Sequence, residues 1–228
     1  MLGILGRKYP LLVVGLLYFL ICVYVTEFVP NLSAYYLSPK TPIGIFTSLF
    51  VYDGWTNIVV FVGAGTFYYI SNLYVPEEKE MMRTWSITLA IFSAAILANY
   101  LWLFTDPSKP SIGQSGVVYA LIGVMMIFAL HNIFTLRKDS LMYIWKSLKS
   151  GRKAHLNKLE LSAVVSIPIF AVFFYQIVSS PSVFLSKGAN INYFVHGLSF
   201  LLAFYVFAPL IVYVERFGGK KANNVKPS

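Results

Sequence analysis

The chain has 228 residues, of which 57% are hydrophobic and only 12% charged, with a mean hydropathy of +0.68. A soluble domain carries about 25% charged residues, so a soluble enzyme or binding module is excluded and a multi-span membrane protein is expected. The net charge of +9 is spread over separated segments, which argues against a nucleic-acid interface. The single cysteine, Cys22, excludes an intrachain disulfide and reads as a packing residue in an apolar run.

The first apolar run, residues 11–29, reaches the roughly 20 residues a span needs. It has no small-residue cleavage site, so a retained span is expected and not a removed signal peptide. A polar loop containing "YYLSPKTP" leads to a second run at 54–74, which begins beside Asp53 and Asn57 and contains Gly54, Gly63 and Gly65. Those glycines predict close helix contacts. The third run is 84–104. The loop "TDPSKPSI" (105–112) then has two prolines that oppose helix, so irregular backbone there can dip inward where protein shields it.

The fourth run, 114–136, opens in "SIGQSGVVYA" and carries Gly113, Gly116, Ala120 and Gly123 as a stripe of small residues. Such a stripe lets a partner helix approach closely. The long loop 137–159 contains "LMYIWKSLKSGRKAHL" (141–156), whose Tyr143, Trp145 and lysines predict a segment lying along the anionic inner leaflet. Runs at 160–179 and 191–214 complete six spans in one domain, 1–217. The tail 218–228 reads as disordered.

Of the 18 lysines and arginines, all but Lys40, Lys109 and Lys187 fall on the side shared by the two termini, the 75–83 loop and the 137–159 loop. The positive-inside rule then puts both termini in the cytoplasm, in the cell membrane.

Polar residues within spans are candidates for function. Ser115 stands at the head of the fourth span and His196 near the head of the sixth, where Ser199 and Ala203 form a second small stripe. Both spans run inward, so both residues fall toward the outer leaflet. Two small-faced helices packed together would bring imidazole and hydroxyl into a nucleophile–base pair. Tyr119, one turn after Ser115, is either a stacking partner for the imidazole or a packing aromatic. Backbone N–H groups around Gln114 and Ser115 begin a helix and are free to hold an oxyanion, with Gly113 permitting the backbone this needs. Asn57 could add a side-chain amide or serve as a cap. Asp53 could orient the histidine or stand at the membrane surface. The spans contain no His/Cys/Asp/Glu cluster, so no metal or soluble cofactor is implied.

"GQSGVVYALIG" (113–123) resembles the Gly-x-Ser-Gly segment of the rhomboid intramembrane serine proteases. The resemblance covers roughly residues 40 to 215 and includes the six-span layout and the placing of Ser115 and His196. It implies an all-α, compact six-helix bundle. It also implies a Ser–His dyad that hydrolyses single-span transmembrane proteins near the outer face, working among membrane lipids without a cofactor. Carried over, Ser115 is the nucleophile, His196 the general base and acid, and Tyr119 the stacking residue.

The family's second-span histidine and asparagine, both tied to the oxyanion hole, correspond without gaps to Asn57 and Phe61. The Trp-Arg pair of the first outer loop is missing, and Ser199 and Ala203 stand where glycines are usual. Phenylalanine cannot donate a hydrogen bond, and one lost oxyanion donor costs about a hundredfold in rate, ~3 kcal/mol. Two readings follow: a slow protease, or a relative that binds transmembrane helices without cutting them.

Overall fold

A hydrocarbon environment leaves the backbone no hydrogen-bond partner but itself, so apolar runs of span length are expected to form helices. The computed structural model describes residues 10–51, 62–63, 65–66, 77–105, 110–111, 114–135, 138–151, 158–179 and 192–213. These residues are mostly helical and contain no strand, only two isolated bridges, Leu37–Ser111 and Ser38–Thr41. The main helices are α1 (Pro10–Phe28), α2 (Glu77–Trp102), α3 (Gln114–Thr135), α4 (Lys138–Lys149), α5 (Lys158–Ser179) and α6 (Tyr193–Leu202). A π-helical turn, Ala203–Phe207, carries α6 on to residue 213. Among the described residues, four segments are long and apolar enough to cross a membrane: Pro10–Phe28, Met81–Trp102, Gln114–Phe134 and Phe194–Tyr213. Most of the 54–74 run, the greater part of the 105–112 loop and the 218–228 tail lie outside the described residues.

The helix expected at 84–104 starts seven residues earlier, at Glu77. Its first turns carry Glu77, Glu78 and Glu80, which favour a helix N-terminus electrostatically but add nothing to an apolar run. Arg83, read from the sequence as part of a basic flank, is buried, with its guanidinium 4.2 Å above the Phe128 ring.

α3 is the central helix: 67% of its apolar window is buried, against 11% for α1. Val117, Ala120, Val124 and Phe128 of α3 share one core with Ala94 and Ala95 of α2 and with Ala203 and Ala208. The expected small-residue seam is present. A Cβ on Gly116 would lie 3.0 Å from Val195 and 3.1 Å from Ser199, and one on Gly123 would lie 2.7 Å from the Phe200 carbonyl oxygen. Contacts therefore advance together along both chains, 116 with 195 and 199, then 123 with 200 and 203, so α3 and α6 are parallel neighbours. Gly63 and Gly65 differ from expectation. A Cβ at either would meet no heavy atom of the described residues within 4 Å.

α1 buries only Pro10, Tyr18 and Cys22. Its Tyr18 hydroxyl donates to the Leu49 carbonyl at 2.6 Å, holding the irregular segment that follows α1. Asn99 of α2 holds the same segment through Ile45 O at 3.2 Å and Ser48 Oγ at 3.3 Å. Gly44 is required there because a Cβ would collide with the backbone of Tyr36 and Leu37. Removing one partner of a buried hydrogen bond costs about 1–3 kcal/mol. Tyr18→Phe is therefore expected to lower the unfolding midpoint in detergent, whereas Tyr24→Phe, at an exposed site, leaves it in place.

The interfacial segment expected at 141–156 begins as α4, which turns Ile144 and Ser147 inward and leaves Met142, Tyr143 and Trp145 exposed beside Lys146 and Lys149. Aromatic and basic side chains on one short helix suit the headgroup region.

Candidate active site

Ser115 and His196 sit on the two parallel helices, each close to its N-terminal end. Ser115 lies in the first turn of α3 and is 8% exposed, and His196 lies in the first turn of α6 and is 6% exposed. Ser115's neighbour Gly116 touches the turn that holds His196, through Val195 and Ser199. One turn further along α3, the Tyr119 ring stacks on the imidazole with centroids 4.4 Å apart and planes at 15°. The arrangement is a buried hydroxyl and a buried imidazole in one seam, the imidazole held flat by an aromatic face.

A stacked pair of rings is worth about 0.5–1.5 kcal/mol beyond its buried area, and 1.4 kcal/mol is a factor of ten. If the stack orients His196 for proton transfer, Tyr119→Leu is expected to slow Ser115 acylation about tenfold. Tyr119→Phe, which keeps the ring, is expected to stay within about twofold of the native rate. Rates of Ser115 labelling by a fluorophosphonate distinguish the two variants.

The other expected site residues divide. Gln114 is 2% exposed, its side chain lies near Cys22 on α1, and its Oε1 has no hydrogen-bond partner among the described residues. What the first turn of α3 can offer an oxyanion is the backbone N–H groups of Gln114 and Ser115, which have no partner within the helix. Gly116, Ala120, Gly123, Ser199 and Ala203 are buried in the seam as expected. Gly113 and Asn57, with Asp53 and Phe61, lie outside the described residues.

A crevice of about 640 Å³ between α1, Val62, Gly65, Thr66, α2 and α3 is lined by Tyr18, Ile91, Val117 and Leu121. Val117 is about 200° around α3 from Ser115 at ~100° per residue. This crevice is apolar and lies behind the serine, so it is not the polar indentation expected from Asn57, Gln114 and the 105–112 loop.

Asn192 and Ser111 were not legible as site residues. The Asn192 side chain caps α6 by accepting from Val195 N at 3.0 Å, and its Nδ2 donates to Ser111 Oγ at 2.7 Å. Ser111 in turn exchanges both backbone hydrogen bonds with Leu37, at 2.9 and 2.8 Å. The only available signal was an asparagine four residues before the histidine, where a cap for the coming helix belongs.

No protein-family model, curated protein or solved structure matches the chain. Fold and site together define a mostly helical chain with apolar helices of membrane-spanning length and, in one helix seam, a buried serine and histidine with a partly buried tyrosine stacked on the imidazole.

Proposed function

We propose that the chain is a rhomboid-type intramembrane serine protease with Ser115 as nucleophile and His196 as general base and acid. The observation that carries this reading is the stacked Tyr119–His196 pair one turn from the buried Ser115. An imidazole fixed by an aromatic face beside a serine at a helix N-terminus has the parts acyl transfer requires. In the proposed reaction His196 takes the Ser115 proton as Oγ attacks the scissile carbonyl. The first-turn N–H groups of α3 hold the oxyanion. His196 then returns the proton to the leaving amine, and water releases the acyl group by the reverse route.

In the proposed topology α1, the 54–74 run, α2, α3, α5 and α6 are the six spans. Both termini lie on the cytoplasmic side of the cell membrane, a placement that the bias of lysine and arginine supports. The dyad then faces the outer leaflet, and the substrate is a single-span protein whose helix unwinds there. The competing reading, a binder of transmembrane helices that does not cut them, draws on Phe61 and on the inward-turned Gln114 side chain, which together leave few side-chain oxyanion donors. Co-reconstitution with single-span reporter proteins in liposomes decides between them. Cleavage near the outer end of the reporter helix, lost in Ser115→Ala, supports the protease. Stable co-purification of an uncut reporter, unchanged by Ser115→Ala, supports the binder.

A further inference from the structure

We propose that Asn192 is a positioning residue for the dyad, acting through its hydrogen bond to Ser111 to set the register of α6 on α3. The role of the dyad itself rests on the function proposed above. The register claim rests on geometry alone.

The chain separation of the Asn192–Ser111 pair is 81 residues, the same as that of His196 and Ser115. Each member stands four residues before its counterpart in the dyad. Asn192 is the N-cap of α6, so His196 follows it about 6 Å along the helix at 1.5 Å per residue, and because α3 and α6 are parallel, a pin between the segments that precede them fixes how far along α3 the imidazole falls. A slip of one residue would move α6 by about 1.5 Å and turn His196 by about 100°, off the Tyr119 face.

The seam below the pin sets how closely the helices approach, and the pin adds a directional contact to it. Gly116, Ala120, Gly123, Ser199 and Ala203 present small surfaces whose van der Waals contact carries little direction. The hydrogen bond supplies direction, and it is anchored, since Ser111 is held to the buried Leu37 by two backbone bonds. Capping alone would accept Asp, Ser or Asn at 192. Asparagine adds an uncharged donor: its Oδ1 is committed to Val195 N, which leaves Nδ2 for Ser111.

Two variants separate the pin from its surroundings. Ser111→Ala keeps the backbone bridge to Leu37 and removes the acceptor. Asn192→Ser keeps a capping hydroxyl and is too short to reach Ser111. The readout is the imidazole signal of His196 in protein labelled with ¹³C at histidine Cε1, in detergent micelles. The chain has 3 histidines, so His196→Gln assigns the signal and Tyr119→Leu fixes its position without the stacked ring.

Both variants are expected to move the His196 signal toward that Tyr119→Leu position while leaving His131 and His155 unmoved. Both are also expected to slow phosphonylation of Ser115 by a fluorophosphonate about tenfold, with the double variant no slower than either single one, as one shared interaction requires. Ser111→Thr, which keeps the hydroxyl, retains the native signal and rate. A native His196 signal in both Ser111→Ala and Asn192→Ser overturns the proposal. Movement of the signal in a protein that is never phosphonylated, even in its native form, upholds the pin and overturns the protease reading.

Discussion

Alanine at Ser115 is expected to lower cleavage of a single-span reporter by at least about a thousandfold, and alanine at His196 by a similar factor. Nucleophile and base act as a unit, so losing either forfeits nearly everything the pair provides, and the double variant falls no further. Ser199→Ala is the matched control. Its hydroxyl is buried in the same seam with no hydrogen-bond partner among the described residues, and it stands one turn deeper than His196. Its removal is expected to change the rate by no more than about threefold, which is under 1 kcal/mol. Initial rates in proteoliposomes at matched protein density give all four values.

Alanine at Gly123 is expected to destabilise the protein more than alanine at Gly116, although both add one methyl to the same seam. At Gly123 the new Cβ would stand 2.7 Å from the Phe200 carbonyl oxygen and 3.2 Å from the Phe204 N, both backbone atoms of the α6 strand of the seam. Relief requires moving that helix at its π turn, so a cost near the top of the 1–3 kcal/mol overpacking range is expected, ~3 kcal/mol. At Gly116 the obstacles are the tips of Val195 and Ser199 at 3.0 and 3.1 Å, which can shift by a few tenths of an ångström, and ~1 kcal/mol is expected. Gly116→Ala nevertheless pushes on both neighbours of the His196 turn. It is therefore expected to lose more activity than its stability change implies. Unfolding midpoints in detergent, set beside phosphonylation rates, check both halves of this contrast.

The apolar runs and the small stripe were readable because each repeats within one segment. A run of span length announces a helix, and glycine or alanine at three- and four-residue intervals marks the face that another helix can approach. Spacing put Tyr119 one turn below Ser115 but left open whether it stacks or packs; the stacking role came from the family resemblance. What failed to show lacks such a period. The Asn192–Ser111 and Tyr18–Leu49 bonds join residues 81 and 31 apart, and nothing local in either sequence marks the partner. Gln114 stood beside Ser115 in the sequence, but about 100° of helical rotation separates adjacent residues, and this turns its side chain to Cys22. Gly63 and Gly65 look like contact glycines in sequence, yet a small residue only permits close approach and does not supply a neighbour.

Covalent labelling of purified protein with a fluorophosphonate, followed by peptide mass mapping, tests the central claim most directly. The account predicts a single phosphonyl adduct on Ser115, absent from Ser115→Ala and strongly reduced in His196→Ala. An unlabelled native protein under conditions that reveal a slow serine hydrolase, or an adduct on another serine that persists in Ser115→Ala, contradicts it.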